Sequence, residues 1–241
     1  MKNGERSATV HHAVPAERVI AALGATHNGL GQEEIDKRLA QYGPNRLAAP
    51  ARRSAILRFV AHFHNILIYV LFGAAIITAG LGHFIDTGVI LAVVLANAAI
   101  GYVQEGRAEQ AIEAIRQMLA PHTSVLRGGH RRNLDSALVV PGDIVLLEAG
   151  EKVPADLRLL AAKGLRIQEA ILTGESVPVE KSTGPVAVDA VLGDRSCMAF
   201  SGTIVVGGAG RGVVVATGES SEIGRISGGE RYASVYNIDY N

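Results

Sequence analysis

Hydrophobic and polar positions along this 241-residue chain fall into three regimes. Between Arg58 and Asp86 there is no Lys, Arg, Asp or Glu, and residues 66–82 read ILIYVLFGAAIITAGLG. A second charge-free run, TGVILAVVLANAAIGYVQ, covers residues 87–104. At about 1.5 Å per residue, each run approaches the roughly 30 Å of a bilayer core. A packed soluble helix keeps one polar side, whereas these runs are apolar on every face. They are expected to form a transmembrane helical hairpin that turns within residues 81–86.

The flanks follow other periods. Ahead of the hairpin, GQEEIDKRLAQY (31–42) places Ile35 and Leu39 on one helical face and is closed by Gly43 and Pro44. Behind it, GRAEQAIEAIRQML sets Ala108, Ala111, Ile112, Ile115 and Leu119 opposite Glu105, Glu109, Glu113 and Arg116. The second span should therefore continue as an amphipathic cytoplasmic stalk that Pro121 ends. From Thr123 to about Thr217 the runs become short and β-like (SVLR, IVLL, LRLL, TIVVG, RGVVVAT), punctuated by Gly128-Gly129, Pro141-Gly142, Gly150, Gly164, Gly184-Pro185 and Gly207-Gly208. This spacing argues for an all-β sandwich or barrel, not βαβ units. The expected class is an α+β membrane protein: an N-terminal cytoplasmic helical segment (1–50), the hairpin and stalk (51–120), a β-rich domain (121–227) and a divergent tail (228–241).

Composition narrows the function. Lys and Arg together number 23 and so do Asp and Glu, so no global field holds the chain on nucleic acid. Cys197 is the single cysteine, which excludes a disulfide scaffold and leaves no Cys/His spacing for zinc. His11, His12, Glu17 and Arg18 interrupt the N-terminal region, so no cleaved export signal is expected. Arg46, Arg52, Arg53 and Arg58 before the first span, with Arg107 and Arg116 after the second, put both termini on the cytoplasmic side. Gly73, Gly80, Gly88 and Gly101 suit close helix contacts. Asn65, Asn97 and the histidines at 62, 64 and 83 read as interfacial groups, not ion ligands.

The most informative residues are Leu172-Thr173-Gly174-Glu175-Ser176, followed by VPVEK. A glycine beside a carboxylate in a loop lets that carboxylate approach another backbone, where it can orient a water or accept its proton. Together with GLGQEEIDKRLAQYGPNRL (29–47), VPGDIVLLEAGEKVPADLRLL (140–160), ILTGESVPVEK (171–181), SGTIVVGGAGRGVVVATG (201–218) and SSEIGRI (220–226), in this order, the chain resembles the type II P-type cation-transporting ATPases.

The resemblance implies that the β-rich part is an actuator domain, a distorted jelly roll. It implies that Glu175 positions water for hydrolysis of an aspartyl phosphate, with Thr173 and Gly174 shaping the loop and Ser176 helping to hold it by hydrogen bonding. Asp143 and Asp156 are read as structural. The implied partners are the lipid bilayer, a transported cation, and the phosphorylation and nucleotide domains and remaining membrane helices of a complete pump. No cofactor is expected on this segment, whereas the complete pump uses Mg-ATP. No D-K-T-G-T motif for the phosphorylated aspartate occurs in the chain, which is expected to be a fragment not competent to pump alone. An alternative is a membrane-anchored module that binds or regulates another pump; an autonomous hydrolase lacks a second catalytic group. By the same likeness calcium leads as the cation, ahead of magnesium, sodium or potassium, and protons, and a bacterial inner membrane is the expected location. Tyr232, Tyr236 and Tyr240 mark the tail, whose composition departs from the family pattern.

Overall fold

The computed structural model describes residues 10–47, 59–61, 63–118 and 121–227. The expectations for Arg52, Arg53, Arg58, His62, Leu119 and the tail fall outside the described residues, as do those for the side chains of Glu109, Ile112, Glu113, Ile115 and Arg116. The chain divides into two units. One joins the residues before 49 to those after 120; the other is the stretch between.

In the first unit, β1 (His122–Arg127), β2 (His130–Asp135), β3 (Ile144–Glu148), β4 (Asp156–Gln168), β5 (Val179–Glu180), β6 (Met198–Ala199) and β7 (Ile204–Ala216) form, among the described residues, a seven-stranded sheet. Its order is β2-β1-β3-β7-β4-β5, with β6 also on β4, and every pairing is antiparallel. Successive side chains of a strand point to opposite faces. Val125, Val145, Leu159 and Val214 accordingly enter the main core, while Ile144 and Val213, with the partly buried Leu126 and Leu160, line a second one. The second core is closed by Val19 and Ile20 of α1 (Ala16–Ala22). Two covered faces are why IVLL and VVV are unbroken apolar runs and not alternating ones.

The helix at 31–42 is present as α2 (Gln32–Tyr42), with Gly43 at its C-cap and Ile35 buried beside Leu30 and Val140. α1 and β2 are among the elements with no counterpart in the sequence reading. α1 is only 7 residues long, too brief for its period to stand out. β2 is polar because it is an edge strand, with four of its six residues exposed. Gly207-Gly208, read as a turn between two strands, instead lies inside β7. The pairs Lys163↔Ala209 and Arg166↔Gly207 leave Gly164 and Leu165 opposite Gly208, a bulge. A Cβ on Gly208 would lie 2.1 Å from the Gly164 carbonyl oxygen.

Polar side chains bind the N-terminal residues to the sheet. The Arg158 side chain is buried and donates to five carbonyl oxygens, those of His11, Val14, Leu159, Thr183 and Cys197. Arg38 donates to the carbonyls of Leu23 and Pro141. Asp143, fully buried, accepts from the Arg127 guanidinium at 2.9 and 2.6 Å and from the Val140 N–H at 2.9 Å. Asp156 accepts from Ser201 N at 2.9 Å and Glu222 N at 2.7 Å, tying the start of β4 to the helical residues 222–227.

The second unit holds α3 (Ile66–Gly80) and α4 (Phe84–Met118), packed against each other. Asn65 caps α3 by accepting from Leu67 N, and the hydroxyls of Thr78 and Thr87 meet at 2.9 Å across the turn. Ile68 and Ala75 on α3, with Val94 and Ala98 on α4, are the buried apolar positions. Gly73, Gly80 and Gly88 do not make the contact: a Cβ on any of them would meet nothing within 4 Å. Residues Phe84–Ala108 form a helix long and apolar enough to cross a membrane. α3, at 15 residues, is apolar but shorter than the run read from sequence. Ile66, Val70, Ile76, Ile77, Phe84, Ile85 and Leu95 are exposed.

Candidate functional site

Residues 169–178 connect β4 to β5, whose register (Arg166↔Glu180, Ile167↔Val179) makes them a hairpin loop. α5 (Ala170–Thr173) is one helical turn. Its backbone closes on Glu169, whose carbonyl oxygen receives Leu172 N at 2.9 Å and Thr173 N at 3.1 Å. Gly174 ends the turn in the left-handed region, φ 76°, with its N–H on the Ala170 carbonyl. An L side chain is disfavoured in that conformation. This backbone geometry, and not crowding, is the reason a glycine stands before the glutamate, because a Cβ on Gly174 would meet nothing within 4 Å.

Of the four residues singled out in sequence, Thr173, Gly174 and Glu175 are hydrogen-bonded within the turn. Thr173 Oγ1 donates to the Glu169 carbonyl at 3.2 Å and accepts from Glu175 N at 3.3 Å. Its methyl group faces Gly193, where an added Cβ would lie 3.4 Å from Thr173 Cγ2. Gly174, Glu175 and Ser176 are exposed. The Ser176 hydroxyl makes no hydrogen bond among the described residues, and the side-chain bonds of the turn are those of Thr173. Leu172 anchors the turn, packed against the cluster of Cys197, Met198 and Phe200. The result is a fixed base carrying a carboxylate into solvent.

Beneath the loop lies a pair the sequence reading did not assign. Lys181 Nζ and a Glu169 carboxylate oxygen are 2.6 Å apart, at 0% and 1% side-chain exposure. Apart from each other, neither group finds a hydrogen-bond partner among the described residues. Burial raises the Glu169 carboxyl above the usual glutamate range and lowers the Lys181 ammonium, each opposed by the partner's charge. Parity was the available signal: Leu165, Ile167 and Glu169 share one face, and the first two are in the main core.

Among the described residues no group of three or more His, Cys, Asp or Glu could hold a metal ion.

Comparison with known proteins locates the chain. Residues 117–229 match the P-type ATPase actuator domain, and residues 11–78 match the cation transporter/ATPase N-terminus. The "Probable cation-transporting ATPase F" of Mycobacterium tuberculosis (strain ATCC 25618 / H37Rv) is 46% identical over 219 residues, 90% of this chain and 24% of that protein. "Calcium-transporting ATPase 1" of Bacillus cereus is 44% identical over 205 residues, 83% of this chain and 23% of the other. "Sodium/potassium exporting P-type ATPase cta3" of Schizosaccharomyces pombe is 40% identical over 212 residues, 87% and 20%. The chain thus spans about a quarter or less of the length of these relatives.

Proposed function

The chain belongs to the P-type cation-transporting ATPases, and we propose that it supplies the actuator of such a pump, with Glu175 promoting hydrolysis of an aspartyl phosphate carried elsewhere in the complete protein. One observation carries this reading: Glu175 stands exposed at the tip of a turn whose base is fixed, with its N–H tied to Thr173 Oγ1. In the step itself, water oxygen attacks phosphorus, the bond from phosphorus to the aspartyl oxygen breaks, and the aspartate leaves as carboxylate. Glu175 orients the water and accepts its proton, and Gly174 and Ser176 complete the exposed tip. Proximity and orientation supply most of such an effect. By the family likeness, Mg-ATP would serve the complete pump and supply the phosphoryl group.

In the same reading α3 and α4 form a membrane hairpin with both ends cytoplasmic, supported by the exposed apolar side chains of both helices. The sheet is the jelly roll that the family likeness implies. Calcium is the first candidate cation, supported by the name of the Bacillus cereus relative.

The test is kinetic. In a complete pump carrying residues 10–227, Glu175→Ala forms the phosphoenzyme but hydrolyses it about 10²-fold or more slowly. Unchanged dephosphorylation overturns the assignment.

A further inference from the structure

Packing alone does not account for the Glu169–Lys181 pair. Removing two charges from water costs free energy that an apolar pair of similar volume would not incur, and these two ions have little besides each other. Their place in the chain is informative. Glu169 immediately precedes α5, and its carbonyl is the acceptor on which the turn closes, receiving Leu172 N, Thr173 N and Thr173 Oγ1. Lys181 immediately follows β5, and its N–H donates to the Leu165 carbonyl of β4 at 2.8 Å. Its ammonium also lies 5.8 Å from the centre of the Phe200 ring, in the cluster that receives Leu172. The ion pair therefore joins the two ends of residues 170–180, the segment whose tip is Glu175.

We infer that Glu169 and Lys181 are positioning residues whose ion pair closes the base of this loop and sets the direction in which Glu175 is presented. The inference rests on the reading of Glu175 given above. Its physical basis is leverage: the backbone of Glu169 carries the hydrogen bonds of the turn, so rotation at Glu169 swings the tip. A displacement on the order of 1 Å at a reacting group costs about 10²-fold in rate. An ion pair between otherwise unpartnered groups is suited to this, because each charge has one low-energy position, beside the other.

Two measurements test it. In the whole chain in lipid nanodiscs, Glu169→Gln should raise amide exchange of residues 170–176 by about tenfold or more while β3 and β7 are unchanged. The neutral double variant Glu169→Gln/Lys181→Met leaves no unpaired buried charge but also no clasp, so its exchange should stay raised about threefold or more above the parent. In the complete pump, Glu169→Gln should slow phosphoenzyme hydrolysis about tenfold with phosphoenzyme formation unchanged, and the double variant should remain slow. Should Glu169→Gln fail to accumulate, Glu169→Asp, which keeps the charge on a shorter arm, is read in the same way. Parent-like exchange and hydrolysis in the single variant, slowing of formation and hydrolysis alike, or recovery of both readouts in the neutral double variant overturns the inference. If instead Glu175→Ala leaves hydrolysis unchanged, the reading of Glu175 fails, and the exchange data alone still decide whether the pair clasps the loop.

Discussion

The side-chain oxygen of Asn45 accepts a hydrogen bond from the backbone N–H of Gly218 at 2.8 Å, linking positions 173 residues apart. The same carboxamide donates to the carbonyls of Ser136 and Pro154, and the Asn45 N–H donates to Ala137. One side chain thus holds the segment after α2, the start of β4 and the end of β7. Asn45→Ala is expected to destabilise the unit by about 2 kcal/mol. Urea unfolding, with faster amide exchange at Gly218, checks this.

Arg158→Lys keeps the charge but not the planar fork that reaches five carbonyls. Residues 10–14 should become sensitive to protease, with a loss of about 3 kcal/mol. A protected N-terminus in the variant would show that α1 packing alone retains the segment.

Burial pushes the Asp156 carboxyl up to about 6, against the pull of the two backbone N–H groups that it accepts. Between its ordinary value of 3.8 and about 6 the folded chain holds a proton that the unfolded chain has released. This contribution to stability is complete below that window and is lost as pH rises through it. Relative to Asp156→Asn, which cannot titrate, the parent should lose about 3 kcal/mol between about pH 3 and 7. Parallel stability profiles of parent and variant would refute the shift.

Two glycines with positive φ should respond differently to alanine. At Gly174 the cost is conformational only, about 1–2 kcal/mol and confined to the turn, because nothing lies near the new methyl. At Gly208 the methyl would meet the Gly164 carbonyl, so the bulge cannot form and the loss should exceed about 3 kcal/mol. Thermal unfolding of the two variants gives the ranking.

Leu95 is 56% exposed near the middle of the apolar stretch of α4. Leu95→Arg should reduce membrane insertion by about 2.5–3.5 kcal/mol if that face meets lipid. A soluble helix pair would tolerate it within about 0.5 kcal/mol, so the inserted fraction in a membrane-translation assay separates the two.

Legibility tracked how local each signal was. The charge-free runs and the Gly43 stop are contained in a few adjacent positions, and both are found where expected. The apolar strand runs were also readable, although their meaning, two covered faces, required α1. β2 escaped notice because HRRNLD has no apolar face to bury at a sheet edge. Gly207-Gly208 misled because a bulge and a turn use the same residue chemistry. At the candidate site, Thr173, Gly174 and Glu175 announced themselves as a contiguous motif, whereas Glu169 and Lys181 become partners only once the β4–β5 register is known.

The His12 ring bonds the Val188 carbonyl across 176 positions, and Cys197 Sγ donates to the His12 carbonyl across 185. At synthesis rates of about 5–20 residues per second, the ribosome needs roughly 10–35 s to supply the first of these partners. For that interval Val19 and Ile20 have no sheet to cover, and the apolar hairpin emerges in between. Assembly is therefore scheduled: α3 and α4 leave the ribosome before the sheet exists, and Val19 and Ile20 gain their full cover only once Val213 of β7 has been made.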